Sequence, residues 1–354
     1  MGKSPLPTMG DVARHAGVSP ATVARVLYNA GTVSAEKKQR IEAALEATGY
    51  RPNIVARGLR TQRSWTIGMI VVDGTINPFF THLTQAVRTE ALDRGYNVLV
   101  YNHGMSAKRE ADAVSNLVQQ RADAVIFSYG VAAENMAPLV EAGIPIVQVE
   151  RDLTLTTHSV LIDPVPGISE AINHLVELGH QRIAYIGGDP KLYPRPRPHG
   201  STMEEDRLRA YQSAMEANGL RVSDGMIQLG LYFSPAGNPI TDEGRKLTHQ
   251  LMAQKDRPTA ILASGDTLAA GALQELSQMG IAVPQDVSVI GFDNSIADLL
   301  TPPLSSIGRP LQEMGIAALD LAISAISDAA MKKETIRFPT KLIIRRSTGP
   351  LAKT

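Results

Sequence analysis

Ten Lys/Arg and four Asp/Glu fall within residues 1–63, a net charge of +6; the rest of the 354-residue chain carries 25 against 31, so the total is zero. A cationic segment on an acidic body is the charge pattern of a module that binds a polyanion. Inside it, "VSPATVARVL" (Val18–Leu27) sets Val23, Val26 and Leu27 on one side of a helix and Ser19, Ala21, Thr22 and Arg25 on the other. A generic solvated face would carry Glu and Lys. This one is short except for one arginine, which suits close approach to a second surface. An arginine fork there matches guanine O6 and N7. Thr22 and the helix N-terminus at Ser19 suit a phosphate. The competing readings are a charged tail and a small bundle whose face is incidentally small; the regular apolar pattern argues against the tail, and the charge against the bundle.

Three short helices must hold these residues. Thr8 can cap the first, with Val12, Ala13 and Ala16 inward and Gly17 just past its end. Ser19 caps the second, with Pro20 at the first helical position. The third begins at Ser34, turns Ile41, Ala44 and Leu45 inward, and ends at Gly49. Helix, a short Gly-containing turn, helix is the spacing of a helix-turn-helix, whose second helix enters the major groove. Next comes "RPNIVARGLRTQRS" (Arg51–Ser64), with Val55, Ala56 and Leu59 on one face between Pro52 and Gly58. A helix so short is marginal alone; it reads either as a plain linker or as a segment that folds on DNA.

From Trp65 the pattern changes. "IGMIVV", "NVLVY", "DAVIF", "IPIVQV", "RIAYIG", "TAILAS" and "DVSVIGF" read as buried parallel strands separated by helices. They exceed one sheet of usual width, so the expected class is α/β with two doubly wound lobes. The expected domains are a head over 1–50, a hinge over 51–64, an N-terminal lobe over 65–163 with 311–335, and a C-terminal lobe over 164–310 with 336–354. "YPRPRPHGSTMEED" (Tyr193–Asp206) reads as a loop.

The chain has no cysteine, which excludes a disulfide scaffold, a thiolate metal site and a cysteine nucleophile. His174 and His180 are six apart and do not make a same-face metal pair. There is no phosphate-binding glycine loop with Lys-Ser/Thr, and no nucleophile constellation. No metal and no cofactor are expected. The N-terminus has no signal-peptide core and no apolar run reaches a membrane-spanning length, so a cytoplasmic protein without membrane partners is expected.

"MGDVARHAGVSPATVARVL", "VSAEKKQRIEAALEATGYRPNIVARGL", "NPFF", "HLVELGHQRIAYIGG", "RLRAYQSAM", "DVSVIGFDN", "TPPLSSI" and "LIIRRSTGP" together closely resemble the LacI–GalR repressor family, over essentially the whole chain. The resemblance implies a helix-turn-helix head on a periplasmic-binding-protein-like body. It implies a dimer on a pseudo-palindromic double-stranded operator. Pro20, Ala21 and Arg25 match base-reading positions, and Thr8, Ser19, Thr22 and Ser34 match phosphate contacts. Asn53, Ala56 and Arg57 match hinge contacts, and Leu59 matches a leucine that wedges into the minor groove. Ala24 stands where serine is usual and Tyr28 where Asn is common.

For the body, the resemblance implies a small sugar-like effector between the lobes, contacted by Phe79, Phe80, Ser128, Glu150, Arg207, Tyr232, Asp266, Asp293 and Arg309. Three positions depart from the family pattern: Glu150 for Asp, Gly265 for Asn and Arg309 for Gln. The long loop adds Arg195, Arg197 and His199. More cation and less amide lead to the expectation of an anionic effector, a sugar acid or sugar phosphate. The alternative is that Arg309 pairs internally with Glu150 or Asp293 and a neutral sugar binds.

The resulting expectation is an effector-controlled transcriptional regulator, a repressor, and not an enzyme. A sugar-active enzyme and a transport binding protein are the alternatives. The chain runs only eight residues past Arg346, without the leucine heptads of the family tetramers, so a homodimer is expected.

Overall fold

The computed structural model describes residues 7–28, 31–51, 63–72, 77–192, 201–223, 225–231, 240–328 and 330–351. It divides into two compact units, Met1–Trp65 and Thr66–Thr354.

In the first unit, α1 (Met9–Ala16), α2 (Pro20–Leu27) and α3 (Ala35–Thr48) follow the expected cap chemistry. Thr8 and Asp11 form a reciprocal capping box at α1, and Gly17 closes that helix in the left-handed region at φ 64°. The Ser19 side chain accepts the Thr22 amide at 3.2 Å. Gly49 ends α3 at φ 62°. Val12, Ala13, Ala16, Val23, Ile41 and Ala44 form the core, with Val18, Val26, Leu27 and Leu45 packed around it. A core this small leaves little reserve, so caps of about 1 kcal/mol each are a substantial share of its stability.

The second unit holds twelve described strands in two sheets. In chain order they are β1 (Thr66–Val71), β2 (Asn97–Asn102), β3 (Ala124–Ser128), β4 (Ile146–Val149), β5 (His158–Asp163) and β6 (Ile183–Gly188). Then follow β7 (Ile227–Gly230), β8 (Ala260–Ala263), β9 (Ser288–Asp293), β10 (Ser305–Gly308), β11 (Thr335–Pro339) and β12 (Lys341–Ile343). The first sheet has the order β11-β5-β4-β3-β1-β2 and every pairing is parallel. The second has the order β12-β10-β9-β8-β6-β7, with only β12 antiparallel. All seven apolar runs singled out above are strands; six have fully buried central members, as parallel sheets covered on both faces require, while β2, at a sheet edge, is half-buried to exposed. The helices that matter for the site are α4 (Pro78–Asp93), α5 (Ala107–Gln119), α6 (Ala137–Glu141), α7 (Val165–Glu177), α8 (Met203–Ala217), α9 (Ile240–Met252), α10 (Asp266–Gln278) and α11 (Leu311–Ser327).

The chain passes between the sheets three times: after β5, after β10 and after β11. One expected boundary is corrected here. Thr335–Pro339 pairs in parallel with Ser159–Asp163 of β5, so this strand belongs to the first sheet. The return falls at Thr340, not between residues 335 and 336. The physical reason is that β11 is a sheet edge with an alternating exposed pattern, and its partner is remote in sequence.

Candidate functional site

Pro20, Ala21 and Arg25 all lie on the exposed face of α2, opposite buried Val23. The Ser19 and Thr22 hydroxyls lie 2.9 Å apart at the N-terminus of the same helix, beside its outward amides. Thr8 caps α1 through its hydroxyl, which also donates to Asp11 at 2.7 Å. Ser34 precedes α3 without making a side-chain cap bond, which leaves its hydroxyl outward. A helix with small residues, one arginine and a hydroxyl-lined N-terminus on its exposed side can read bases and hold a phosphate. Asn53, Ala56, Arg57 and Leu59 lie outside the described residues.

One cation of this segment has a different employment. Arg40, on α3, donates to the Ala16 carbonyl at 2.5 Å, at the turn between α1 and α2. Charge counting alone could not have separated it from Arg25.

The body's candidate residues converge at the ends of strands from both sheets. Phe79 and Phe80 open α4, where Asn77 caps the helix by accepting the Phe79 amide at 3.0 Å. Glu150 follows β4, Asp293 ends β9, Arg309 follows β10, and Arg207 lies on α8. Glu150 and Asp293 both take left-handed backbone conformations, at φ 70° and 101°. Such residues are uncommon outside glycine and tend to cluster at functional sites. The Arg309 side chain is only 2% exposed and bridges Glu150 and Asp293. Its guanidinium lies 3.6 Å from the centre of the Phe79 ring, a cation–π stack. Arg207 donates to the Ser264 carbonyl at 2.9 Å, stands 4.0 Å from Glu150, and lies 4.2 Å from the centre of the Phe292 ring.

Three residues that the sequence did not single out complete this site. Asn77 donates to Asp293 at 3.0 Å, linking the α4 cap to the end of β9. The Tyr129 hydroxyl donates to Glu204 at 3.4 Å. An Asn before Pro at a helix start was a readable signal for Asn77; nothing local marks the other two. The cavity left among Asn77, Phe80, Tyr129, Glu150, Arg207 and Arg309 is about 10 Å³, the room of a single water at most.

Ser128 ends β3, fully buried, with no hydrogen-bond partner for its hydroxyl among the described residues. Asp266, expected among the effector contacts, faces elsewhere: it accepts the Ser295 amide at 2.7 Å, the Ile296 amide at 3.3 Å and the Ser306 hydroxyl at 2.6 Å. It thus fixes the loop that follows Asp293. Burial, and then the nearby Asp293 charge, push the Asp266 carboxyl up to about 7. Tyr232, Arg195, Arg197 and His199 lie outside the described residues. His174 bonds Thr348 at 3.0 Å, and His180 bonds Thr259, Ser288 and the Gly349 carbonyl, each at 3.0 Å. Both hold the segment around Thr348 and Gly349.

Residues 8–53 match the family model for bacterial regulatory proteins of the lacI family, and residues 172–348 match that for a periplasmic binding protein-like domain. The chain is 34% identical to the HTH-type transcriptional regulator DegA of Bacillus subtilis, over 97% of this chain and 98% of that one. The chain belongs to the LacI family. This LacI-family regulator is also 31% identical to the ribose operon repressor of Escherichia coli, over 96% of this chain and 99% of the other. Among solved structures it resembles the lac repressor dimer bound to operator and the anti-inducer ONPF, with a TM-score of 0.74 and 27% identity over 98% of this chain and 100% of that chain. It is a DNA-binding transcriptional regulator. No helix among its described residues is long and apolar enough to cross a membrane.

Proposed function

We propose that this LacI-family regulator is a cytoplasmic repressor that binds a pseudo-palindromic operator as a homodimer, and that a small neutral sugar sets its operator affinity from the cleft between the two sheets. The observation that carries the effector reading is the pairing of Arg309 with Glu150 and Asp293. The arginine expected to receive an anionic ligand is already neutralised. Counting Glu204, the cleft holds three carboxylates against Arg207 and Arg309, which disfavours a sugar acid or phosphate. Carboxylates and guanidinium groups beside an aromatic wall suit paired hydroxyls on a ring. That one relative is a repressor of a ribose operon agrees with this class.

For the dimer, support comes from β2, an edge strand with Val100 42% exposed, and from Leu299, 78% exposed beside α10. A thermal-shift panel of ribose, glucose, cellobiose, gluconate and glucose 6-phosphate tests the class, followed by operator titration with each hit. Neutral sugars should raise the melting temperature and change operator affinity. Stabilisation by the two anions alone would overturn the neutral reading.

A further inference from the structure

The group in the middle of the cleft belongs to the chain itself. Arg309 sits where the chain crosses from β10 to α11, so its side chain reports on the relation of one sheet to the other. Its guanidinium lies over the Phe79 ring and touches a carboxylate from each side: Glu150 after β4 of the first sheet and Asp293 at the end of β9 of the second. Each acid is aimed inward by a left-handed backbone position. A planar cation between two acids and an aromatic face is how proteins recognise guanidinium groups.

The fit is incomplete. Nη1 of Arg309 is paired with Glu150, but its Nε has no hydrogen-bond partner among the described residues. Buried donors without acceptors are costly, so this occupant is replaceable by one with better-matched donors.

We propose that Arg309 is an intramolecular ligand of the cleft: it fills a cation subsite made by Phe79, Glu150 and Asp293, and an effector binds by displacing it. This rests on the cleft being the effector site. Once Arg309 leaves, the carboxylates of Glu150, Asp293 and Glu204 outnumber the cations Arg207 and Arg151 around the cleft, so the competitor is a neutral polyol or a cation. The apparent affinity of any effector is lowered by the fraction of protein in which Arg309 occupies the subsite.

The test uses the full chain and guanidinium chloride at low millimolar concentration, far below the denaturing range. Arg309→Ala should melt lower than wild type. Guanidinium should raise its melting temperature saturably, by about 2–4 °C, whereas equimolar sodium chloride and urea should not. Wild type should not respond. A variant that responds no differently from wild type overturns the subsite. A second variant, Arg309→Gln, carries a shorter neutral side chain at the same position. It should bind ribose, glucose or cellobiose about tenfold more tightly than wild type does. Equal or weaker binding of a sugar that wild type does bind overturns the displacement. If no sugar binds either protein while guanidinium still restores Arg309→Ala, the subsite stands and the sugar reading of the cleft is what fails.

Discussion

Arg40 reaches from α3 to the carbonyl of Ala16 at 2.5 Å, tying the end of α1 to the third helix of the head. The same guanidinium lies beside Gly17, where an added Cβ would come within 2.5 Å of it. The turn therefore depends on a glycine for its φ of 64° and on Arg40 for its position. Arg40→Met should weaken operator binding roughly tenfold by loosening the turn that sets α2. The salt dependence of binding should hardly change. Titrations at several salt concentrations on an operator obtained by in vitro selection check this; a drop of about one in the log–log slope would instead make Arg40 a phosphate contact.

Arg25 is the opposite case. It is exposed on α2 among Pro20, Ala21 and Thr22. Arg25→Ala should cost about 1–3 kcal/mol on the selected operator and relax preference at one position in each half-site. A selection experiment repeated with the variant reads this directly. An unchanged sequence preference would remove Arg25 from the base-reading face.

Gly167 lies where α7 meets a crossing between the sheets. Its amide donates to the Thr340 hydroxyl at 3.1 Å, and that hydroxyl donates to the Asp163 carbonyl at 2.9 Å. A Cβ on Gly167 would lie 2.5 Å from Ile307 and 2.7 Å from the Thr340 oxygen. Gly167→Ala should destabilise the body by about 1–3 kcal/mol, measured by urea unfolding. A variant as stable as wild type would show that the crossing yields without cost.

Asp266 gives a pH signature. Its carboxyl is raised from 3.8 to about 7 by burial and by Asp293. Between those values the folded chain keeps a proton that the unfolded chain has lost, so this group's contribution makes stability fall as pH rises, up to about 7. Asp266→Asn, which can still accept a backbone amide, should lack that loss. Its urea midpoint relative to wild type should be higher at pH 8.5 than at pH 5. The same difference at both pH values would mean that the carboxyl is ionised in the folded protein throughout.

The histidines act in the other direction. Burial lowers His103 to about 4 and lowers His158, His174 and His180 as well. These rings bind protons more readily unfolded, so their contribution to stability is lost as pH falls below about 6.5. His103→Asn should flatten the fall in melting temperature between pH 6.5 and 4.5. An unchanged profile would show that His103 is not a source of acid lability.

Much of the head was legible because its determinants are local. Thr8, Gly17, Ser19, Pro20 and Gly49 act within a turn of where they stand, and helical periodicity identifies Val12, Val23 and Ile41 as core. Central strands were legible for the same kind of reason: β1, β3 and β9 are continuous apolar runs, as burial on both faces demands. Five strands were not anticipated, β5, β7, β10, β11 and β12, and two of them take their identity from a partner. β10 is "SSIG", buried because β9 and β12 flank it, and β11 is an alternating edge defined by β5. The boundary at Thr340 follows from that pairing and from nothing in its neighbours along the chain.

The cleft divides likewise. Residue types and motif positions singled out Phe79, Glu150, Arg207, Asp293 and Arg309, and left open whether Arg309 would meet a ligand or an acid. That choice is a matter of three-dimensional distance. Glu150 and Asp293 reach Arg309 from different sheets, and its contact with the Phe79 ring needs α4 and β10 brought together. Asp266 is expected among the effector contacts, and in the folded chain both its oxygens accept from Ser295, Ile296 and Ser306, partners that only the tertiary structure supplies. Caps and periodicity are short-range and are written in consecutive residues. The pairing of buried charges is long-range: an unpaired charge in a water-free cleft is too costly to keep, so each finds whichever partner the fold brings within reach.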